Sequence, residues 1–474
     1  MTVAADRMAV PRGSVIDATP LRTPDVANAT MMTRRGWWLV VLNFLIPGSA
    51  QSLAGNHRLG KLGLGATLTM WALIVIAALG GLLWRSGTTS ILLNPITLFA
   101  LAVVVVLYAV LWVILSIDTL RLVRLVRTRA PQRFLIALLA IALAVVQGTA
   151  GALAAPRLFA AAGGIGSIFS SSAPVVEPSD GYYNVLLLGA DSGEGRDSMR
   201  FDSISVISVN AETGAVTITG IPRDLQHFPF SDGSPMQELY PNYFEGLADQ
   251  TCGWGSGVNQ LTNAVSFCRE DGGASLYPDA ERHGSDPEIE ATKDAAEGLT
   301  GLEIPYFVSI DMHGFQALID ALGGVEITVT ERLPEGPGPA YDGQPAEEWA
   351  TGWIEEGTQH MSGETALWYA RSRYTTSDWD RMERQRELQQ AVISQMTPQN
   401  VLARFQEVAA AGTDVIRTDV PQGLVSTFVD LAVLAREQPM TSIEFNPDAG
   451  VDQEWPDAAA TRAMVDAALH PEGE

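Results

Sequence analysis

Residues Tyr183–Asp224 read YNVLLLGADSGEGRDSMRFDSISVISVNAETGAVTITGIPRD. Three runs in this stretch, Tyr183–Leu188, Ser203–Val209 and Ala215–Gly220, are rich in β-branched and large apolar residues and are separated by Gly, Asp, Asn and Ser, which predicts three successive strands. Charged residues fall only at the strand ends. Asp191 follows the first strand, Arg200 and Asp202 enter the second, and Arg223 and Asp224 follow the third. Side chains two apart on an extended chain face the same way, so Arg200 and Asp202 are expected to project together. With the three strands side by side, Asp191 and Arg223 reach the same sheet edge, a candidate site of two acids and two arginines.

Outward from that stretch, the 474 residues leave room for two or three domains, and the formal charge of -24 is unevenly spread. Residues 1–179 hold 14 Lys and Arg against 5 Asp and Glu, and the remainder holds 16 against 49. A portion so acidic has no basic face for a phosphate backbone, which argues against a nucleic-acid partner.

The basic half is also the apolar half. Leu62–Trp84, Ile96–Ile117 and Phe134–Ala155 are charge-free and each matches the roughly 20 helical residues needed to cross a bilayer, so they are read as transmembrane helices. Arg121, Arg124, Arg127, Arg129 and Arg133 lie between the second and third, which makes that loop cytoplasmic and everything after Ala155 extracellular. The stretch Trp37–Leu53 is interrupted by Asn43, Pro47, Gly48, Ser49 and Gln51; it is read as a re-entrant hairpin packed on the other spans, with residues 1–33 a polar, disordered cytoplasmic tail. Together these readings describe a multi-pass cell-membrane protein, with membrane lipid as one of its partners.

Residues 156–179, rich in Ala, Gly, Ser and Pro, suit a linker, and residues 180–474 form the extracellular domain. Its two cysteines, Cys252 and Cys268, face an oxidising compartment, and a disulfide between them closes a loop of about 15 residues, worth roughly 3 kcal/mol in the chain-entropy model. Helices are predicted at Asn259–Phe267, Glu288–Leu299, Gly314–Leu322 and from Gly363, and strands at Tyr306–Ile310 and Val325–Thr330, with long loops at Phe228–Gly257 and Pro334–Trp353. The order predicts a mixed-sheet, layered α/β domain preceded by a helical membrane region.

Of the 16 basic residues in that domain only Lys293 is a lysine, and Arg371, Arg373, Arg381, Arg384 and Arg386 fall within 16 positions. Guanidinium presents a planar fork that grips phosphate oxygens two at a time and keeps its proton, so the bias fits a pyrophosphate clamp. On a helix starting near Asp380, Arg381, Arg384 and Gln385 share one face and are expected to present three donors to one ligand.

Six motifs in order, YNVLLLGADSG from Tyr183, RFDSISVISVN from Arg200, ITGIPRDL from Ile218, FVSIDMHGFQALIDALGGVEITV from Phe307, GTQHMSGETALWYARSRY from Gly357 and DWDRMERQREL from Asp378, resemble the LytR-CpsA-Psr family of cell-envelope glycopolymer transferases. The resemblance implies a membrane-anchored phosphotransferase that moves a glycopolymer from a polyprenyl-pyrophosphate carrier onto peptidoglycan with Mg²⁺ or Mn²⁺. Carried over, the metal-binding acids fall on Asp191 and Asp202, and the pyrophosphate-gripping residues on Arg200, Arg223, Arg371, Arg373 and Arg381, with Gln385 a further contact. It also implies an apolar prenyl tunnel, toward which Val185, Leu187, Ile204 and Val206 are expected to face.

The chemistry is consistent with that inheritance. Two carboxylates about 4 Å apart repel by roughly 4 kcal/mol at an effective dielectric of 20, a cost a bridging cation removes, and oxygen donors suit Mg²⁺. The sequence assigns no general base; Asp224 and a carboxylate near the metal are the two candidates for the acceptor's proton. Two alternatives stand beside it: a polyprenyl-pyrophosphate phosphatase or pyrophosphatase, which uses the same site with water as acceptor, and a non-catalytic receptor or regulator that binds lipid-linked polymer and would keep its function without Asp191 and Asp202.

Overall fold

The computed structural model describes residues 21–22, 24–169, 173–190, 200–341, 343–395, 416–436 and 438–471. They divide into two compact units, residues 1–88 with 98–159, and residues 89–97 with 160–474.

His57–Leu83, Pro95–Arg127 and Ala130–Gly166, which make up most of the first unit, are each long and apolar enough to cross a membrane. Many of their large apolar side chains, Leu68, Trp71, Ile76, Leu79 and Leu107 among them, are exposed, as faces that meet lipid must be. The interrupted stretch before them forms two helices, Ala29–Leu45 and Ser49–Ala54, joined at Gly48. The first begins inside the polar tail, because Asn28 caps it by accepting from the amides of Thr30 and Met31. The polar residues that break the apolar pattern are the ones that bond across the unit. Asn43 Nδ2 donates to Ser116 Oγ at 3.1 Å, and Gln51 Nε2 donates to the Leu115 carbonyl at 2.7 Å and to Thr119 Oγ1 at 2.9 Å.

The helix from Ala130 continues to Ile168 through Pro156, so the first half of the expected linker is helical. Proline removes one backbone donor, and the alanines at 160–162, the strongest helix formers, carry the helix on.

The second unit is built on a six-stranded sheet. In chain order its strands are β1 (Tyr182–Ala190), β2 (Phe201–Asn210), β3 (Val216–Ile221), β4 (Tyr306–Asp311), β9 (Ile416–Thr418) and β10 (Met440–Glu444), and in space the order is β10-β3-β2-β1-β4-β9. The pairs β1–β2, β2–β3 and β4–β9 are antiparallel, and β1–β4 and β3–β10 are parallel. Strands β5 (Val325–Val329) and β8 (Gly357–Met361), and β6 (Leu333–Glu335) and β7 (Gly352–Ile354), form two small antiparallel ribbons.

Register fixes what each sheet face carries. Leu186 lies opposite Val206 and Phe307, and Leu188 opposite Ile204; all five are buried in the main core, with the Pro287–Thr300 and Ala458–Leu469 helices. Leu187 lies opposite Ser205 and Val308, and Val185 opposite Ile207, on the other face. The expectation that Val185, Leu187, Ile204 and Val206 face one tunnel is therefore corrected: a period of two cannot put both pairs on one side of this register. The second face meets a cavity also lined from the Met312–Leu322, Gly363–Arg371 and Asp378–Gln395 helices.

Two connections hold the periphery. Cys252 and Cys268 form the expected disulfide, with Cα atoms 5.6 Å apart. Lys293, buried in the Pro287–Thr300 helix, pairs with Glu290 at 3.0 Å and with Asp419 at 2.5 Å, while Asp419 Oδ1 accepts from the Phe307 amide at 2.7 Å, so the chain after β9 is tied to both helix and sheet.

Candidate active site

The acid at the start of β2 reaches the cavity because the strand is irregular there. Gly189 pairs with Ser203 but Ala190 with Phe201, so Asp202 is an extra residue, a β-bulge. Without it Asp202 would fall in phase with Ile204 and Val206, inside the apolar core. With it, Phe201 takes the core position and both Asp202 and Ser203 line the cavity. Arg200 stands exposed just before β2 and is not among the residues that line the cavity. Asp191 lies outside the described residues.

Arg223 follows β3 and Pro222. Its Nη1 donates to Asp202 Oδ1 at 2.6 Å and its Nε to Asp224 Oδ2 at 3.2 Å. Burial alone would lower the Arg223 pKa; the charge and hydrogen bond of Asp202, with Asp224 and Asp378, outweigh it and raise the pKa above its ordinary value. Asn259 steadies this corner, donating from Nδ2 to Asp224 Oδ1 at 3.1 Å and from its amide to the Arg223 carbonyl at 2.9 Å.

Arg371 and Arg373 sit where the Gly363–Arg371 helix ends, both exposed at the cavity. The turn that carries them is pinned from below by Arg384, whose Nε donates to the Tyr369 carbonyl at 3.1 Å and whose Nη2 donates to the Ser372 carbonyl and to Thr376 Oγ1. Gln385 Nε2 donates to the Ala370 carbonyl at 3.2 Å, and Ser372 Oγ to the Pro334 carbonyl at 3.1 Å. Arg384 is thus a buried support and not a third ligand donor beside Arg381 and Gln385, which corrects the helical-face expectation. Arg386 is buried as well, 2.9 Å from Glu444 on β10.

Arg381 is 5% exposed and held by Asp378 at 2.9 Å; the other oxygen of Asp378 lies 3.9 Å from Arg373. Burial lowers the Arg381 pKa, Asp378 opposes that, and the neighbouring Arg223 and Arg373 lower it further. Guanidinium groups that depress one another's pKa are a site short of negative charge. Asp378, which orients two of them, was not singled out from sequence; its i, i+3 spacing to Arg381 is the signal that finds it.

The cavity holds about 620 Å³. Four arginines, Arg223, Arg371, Arg373 and Arg381, line it against two acids, Asp202 and Asp311, and Gln385 lines it too. Asp311 is engaged as a helix cap, accepting from the Gly314 amide at 2.7 Å. The rest of the lining is largely apolar, including Leu187, Ile207, Val308, Phe315, Leu388 and Val392. A charge-poor interior opening beside a guanidinium cluster, in an acidic domain, suits an amphiphile with an anionic head and a hydrocarbon tail.

The model of the LytR_cpsA_psr family matches residues 167–229 and 283–461, half of the chain. The chain belongs to that family. A polyisoprenyl-teichoic acid–peptidoglycan teichoic acid transferase of Enterococcus faecalis is 26% identical over 242 residues, which cover 50% of this chain and 61% of that protein. Biofilm regulatory protein A of Streptococcus mutans is 27% identical over 247 residues, half of each chain. The chain thus spans about half to three fifths of the length of these curated relatives. Among solved structures, B. subtilis TagV aligns with a TM-score of 0.39 at 18% identity, covering 62% of this chain and 97% of that one. The family match takes in β1 to β4, the arginine-bearing helices and the cavity they line, and it leaves residues 230–282, with the disulfide, between its two segments.

For a cation of the Mg²⁺ kind this member of the family offers a hard oxygen donor: Asp202 uses Oδ1 toward Arg223, and 31% of its side chain remains exposed. Among the described residues no three His, Cys, Asp or Glu side chains gather into a further metal group.

Proposed function

We propose that the chain is a phosphotransferase that moves a glycopolymer from a polyprenyl-pyrophosphate carrier onto peptidoglycan, acting on the outer side of the cell membrane. The observation that carries this reading is the single cavity whose lining passes from four arginines to hydrocarbon side chains. The names of the curated relatives support the donor and acceptor classes, and the arginines between the second and third apolar helices support the outward placement of the domain.

In this reading the prenyl chain lies along Leu187, Ile207, Val308 and Val392, and the diphosphate meets Arg223, Arg371, Arg373 and Arg381, with Gln385 as a further contact. An acceptor hydroxyl attacks the sugar-linked phosphorus; a new P–O bond forms, the bond to the bridging oxygen breaks, and polyprenyl phosphate leaves. The guanidinium groups offset the charge that collects on the departing phosphate, and their fixed positions mean little reorganisation is needed. Asp224, exposed and held by Asn259 and Arg223, takes the hydroxyl proton. Asp202, together with Asp191, would hold a divalent cation such as Mg²⁺ or Mn²⁺, which supplies positive charge beside the diphosphate.

The test is incubation of the purified full-length protein in nanodiscs with lipid-linked donor, peptidoglycan and Mg²⁺, followed by analysis of the linkage formed. A phosphodiester between polymer and peptidoglycan supports transfer. Release of free polymer phosphate alone, with peptidoglycan present, would make the protein a phosphatase, and donor binding without turnover would make it a receptor.

A further inference from the structure

Four residues beyond Arg223, the chain enters an aromatic cluster that the reaction above does not use. The rings of His227 and Trp455 stack face to face, centroids 3.9 Å apart and planes 2° from parallel. Tyr243 meets both edge-on, at 5.4 Å from His227 and 5.0 Å from Trp455. Trp455 remains 54% exposed, so this is a large indole displayed to solvent and not a core contact.

The display is rigid. His227 has a backbone φ of +44°, in the left-handed region that a non-glycine residue rarely adopts. It is held there because its Nδ1–H donates to the Glu454 carbonyl at 2.7 Å and the Gln226 amide donates to the Gln453 carbonyl at 2.9 Å. From the other side, Asp452 accepts from the amides of Glu454 and Trp455 at 2.8 and 2.9 Å. Tyr243 comes from residues 230–282, the stretch that the family match skips. Four residues of chain reach at most about 14 Å, so the cluster lies within a short oligosaccharide's length of Arg223.

We infer that His227, Trp455 and Tyr243 form a platform for a pyranose ring of the acceptor glycan strand. An aromatic face is electron-rich and binds the weakly positive C–H face of a sugar, which a flat, exposed, preorganised indole is suited to do. Charge selects the acceptor over the donor polymer: Asp224, Glu245, Asp452 and Glu454 are all exposed beside the cluster, which disfavours a phosphate-rich polymer and leaves an uncharged sugar backbone unopposed. The assignment of the strand as acceptor rests on the transferase reading; the existence of a sugar platform does not.

The test uses the full-length protein in nanodiscs and calorimetric titration of two probes, a soluble phosphate-free peptidoglycan glycan fragment and a short polyprenyl diphosphate lacking sugar. Trp455→Ala and Tyr243→Ala are each expected to weaken the fragment by about tenfold, the size of loss seen when a stacking ring is truncated, and to leave the diphosphate probe unchanged. Trp455→Phe, which keeps a ring, should retain most of the affinity. Unchanged diphosphate binding also shows that each variant is folded. Fragment affinity that is indifferent to both alanine variants, or absent from the wild type, overturns the platform. Trp455-dependent binding of a teichoic acid in place of the fragment overturns its assignment to the acceptor. Failure of the wild type to bind the diphosphate probe would instead sink the cavity reading, with the fragment titration still deciding the platform.

Discussion

At the scale of single residues, the arginines divide into those that meet the cavity and those that hold them there. Arg371 and Arg373 are exposed at the cavity, so Arg371→Lys and Arg373→Lys, which keep the charge and lose the fork, should each lower kcat/KM for transfer about 10- to 100-fold, the worth of one hydrogen bond to a charged group. Unchanged transfer in both would remove the clamp from the mechanism. Asp202→Asn keeps an oxygen acceptor beside Arg223 but removes the carboxylate charge of its 2.6 Å partner, and it should raise the Mg²⁺ concentration needed for half-maximal activity; a titration that superimposes on wild type would detach the cation from this residue. Asp202 and Arg223 were singled out by their place at strand ends, and Arg371, Arg373 and Arg381 by an arginine run that the family motifs, rather than its composition, separate from a solvated face; the structure brings all five to one cavity. Arg384 was not distinguishable from Arg381, since helical spacing reports a shared face and not which of two neighbours finds backbone carbonyls to bind.

At the scale of elements, the turn after the Gly363–Arg371 helix is held by a side chain that touches no substrate. Arg384→Met strips the donors from the Tyr369 and Ser372 carbonyls and should cost about 1–3 kcal/mol in urea unfolding. It should also weaken a polyprenyl diphosphate, because Arg371 and Arg373 lose their seat; destabilisation with intact ligand affinity would show that the turn is positioned by other contacts. Strands β1 to β4 and the Pro287–Thr300 helix were readable from period and composition. Strands β6, β7 and β9, three residues each, carry too few side chains for an alternation to register, and the bulge at Asp202 is invisible to a rule that assumes an unbroken period of two. The resemblance placed Ile204 and Val206 toward the prenyl tunnel, where the register turns Ile207 to the cavity instead.

For the molecule as a whole, stability carries a pH signature set away from the site. Burial raises the Asp294 carboxyl from near 3.8 to about 7; the hydrogen bond from Tyr277 and that from Ser234 oppose this, and Glu297 and Glu290 add to it. Between those values the folded chain binds a proton that the unfolded chain does not, so this group's contribution to stability falls as pH rises from about 4 to 7 and stays at its lowest above that. Asp294→Asn should therefore stabilise the protein at pH 8 and flatten the slope between pH 5 and 7; an unaltered profile in chemical unfolding would assign the slope to other groups. The overall architecture, an apolar helical region followed by an acidic α/β domain, was evident from charge and hydropathy, because both are set by which solvent each segment meets. The bulge at Asp202 has one more consequence. Deleting Ser203 would restore the period of two with Phe201 still on the core face and Asp202 in the slot that Ser203 now fills, so what the extra residue adds to this strand is a second polar side chain turned to the cavity beside the acid.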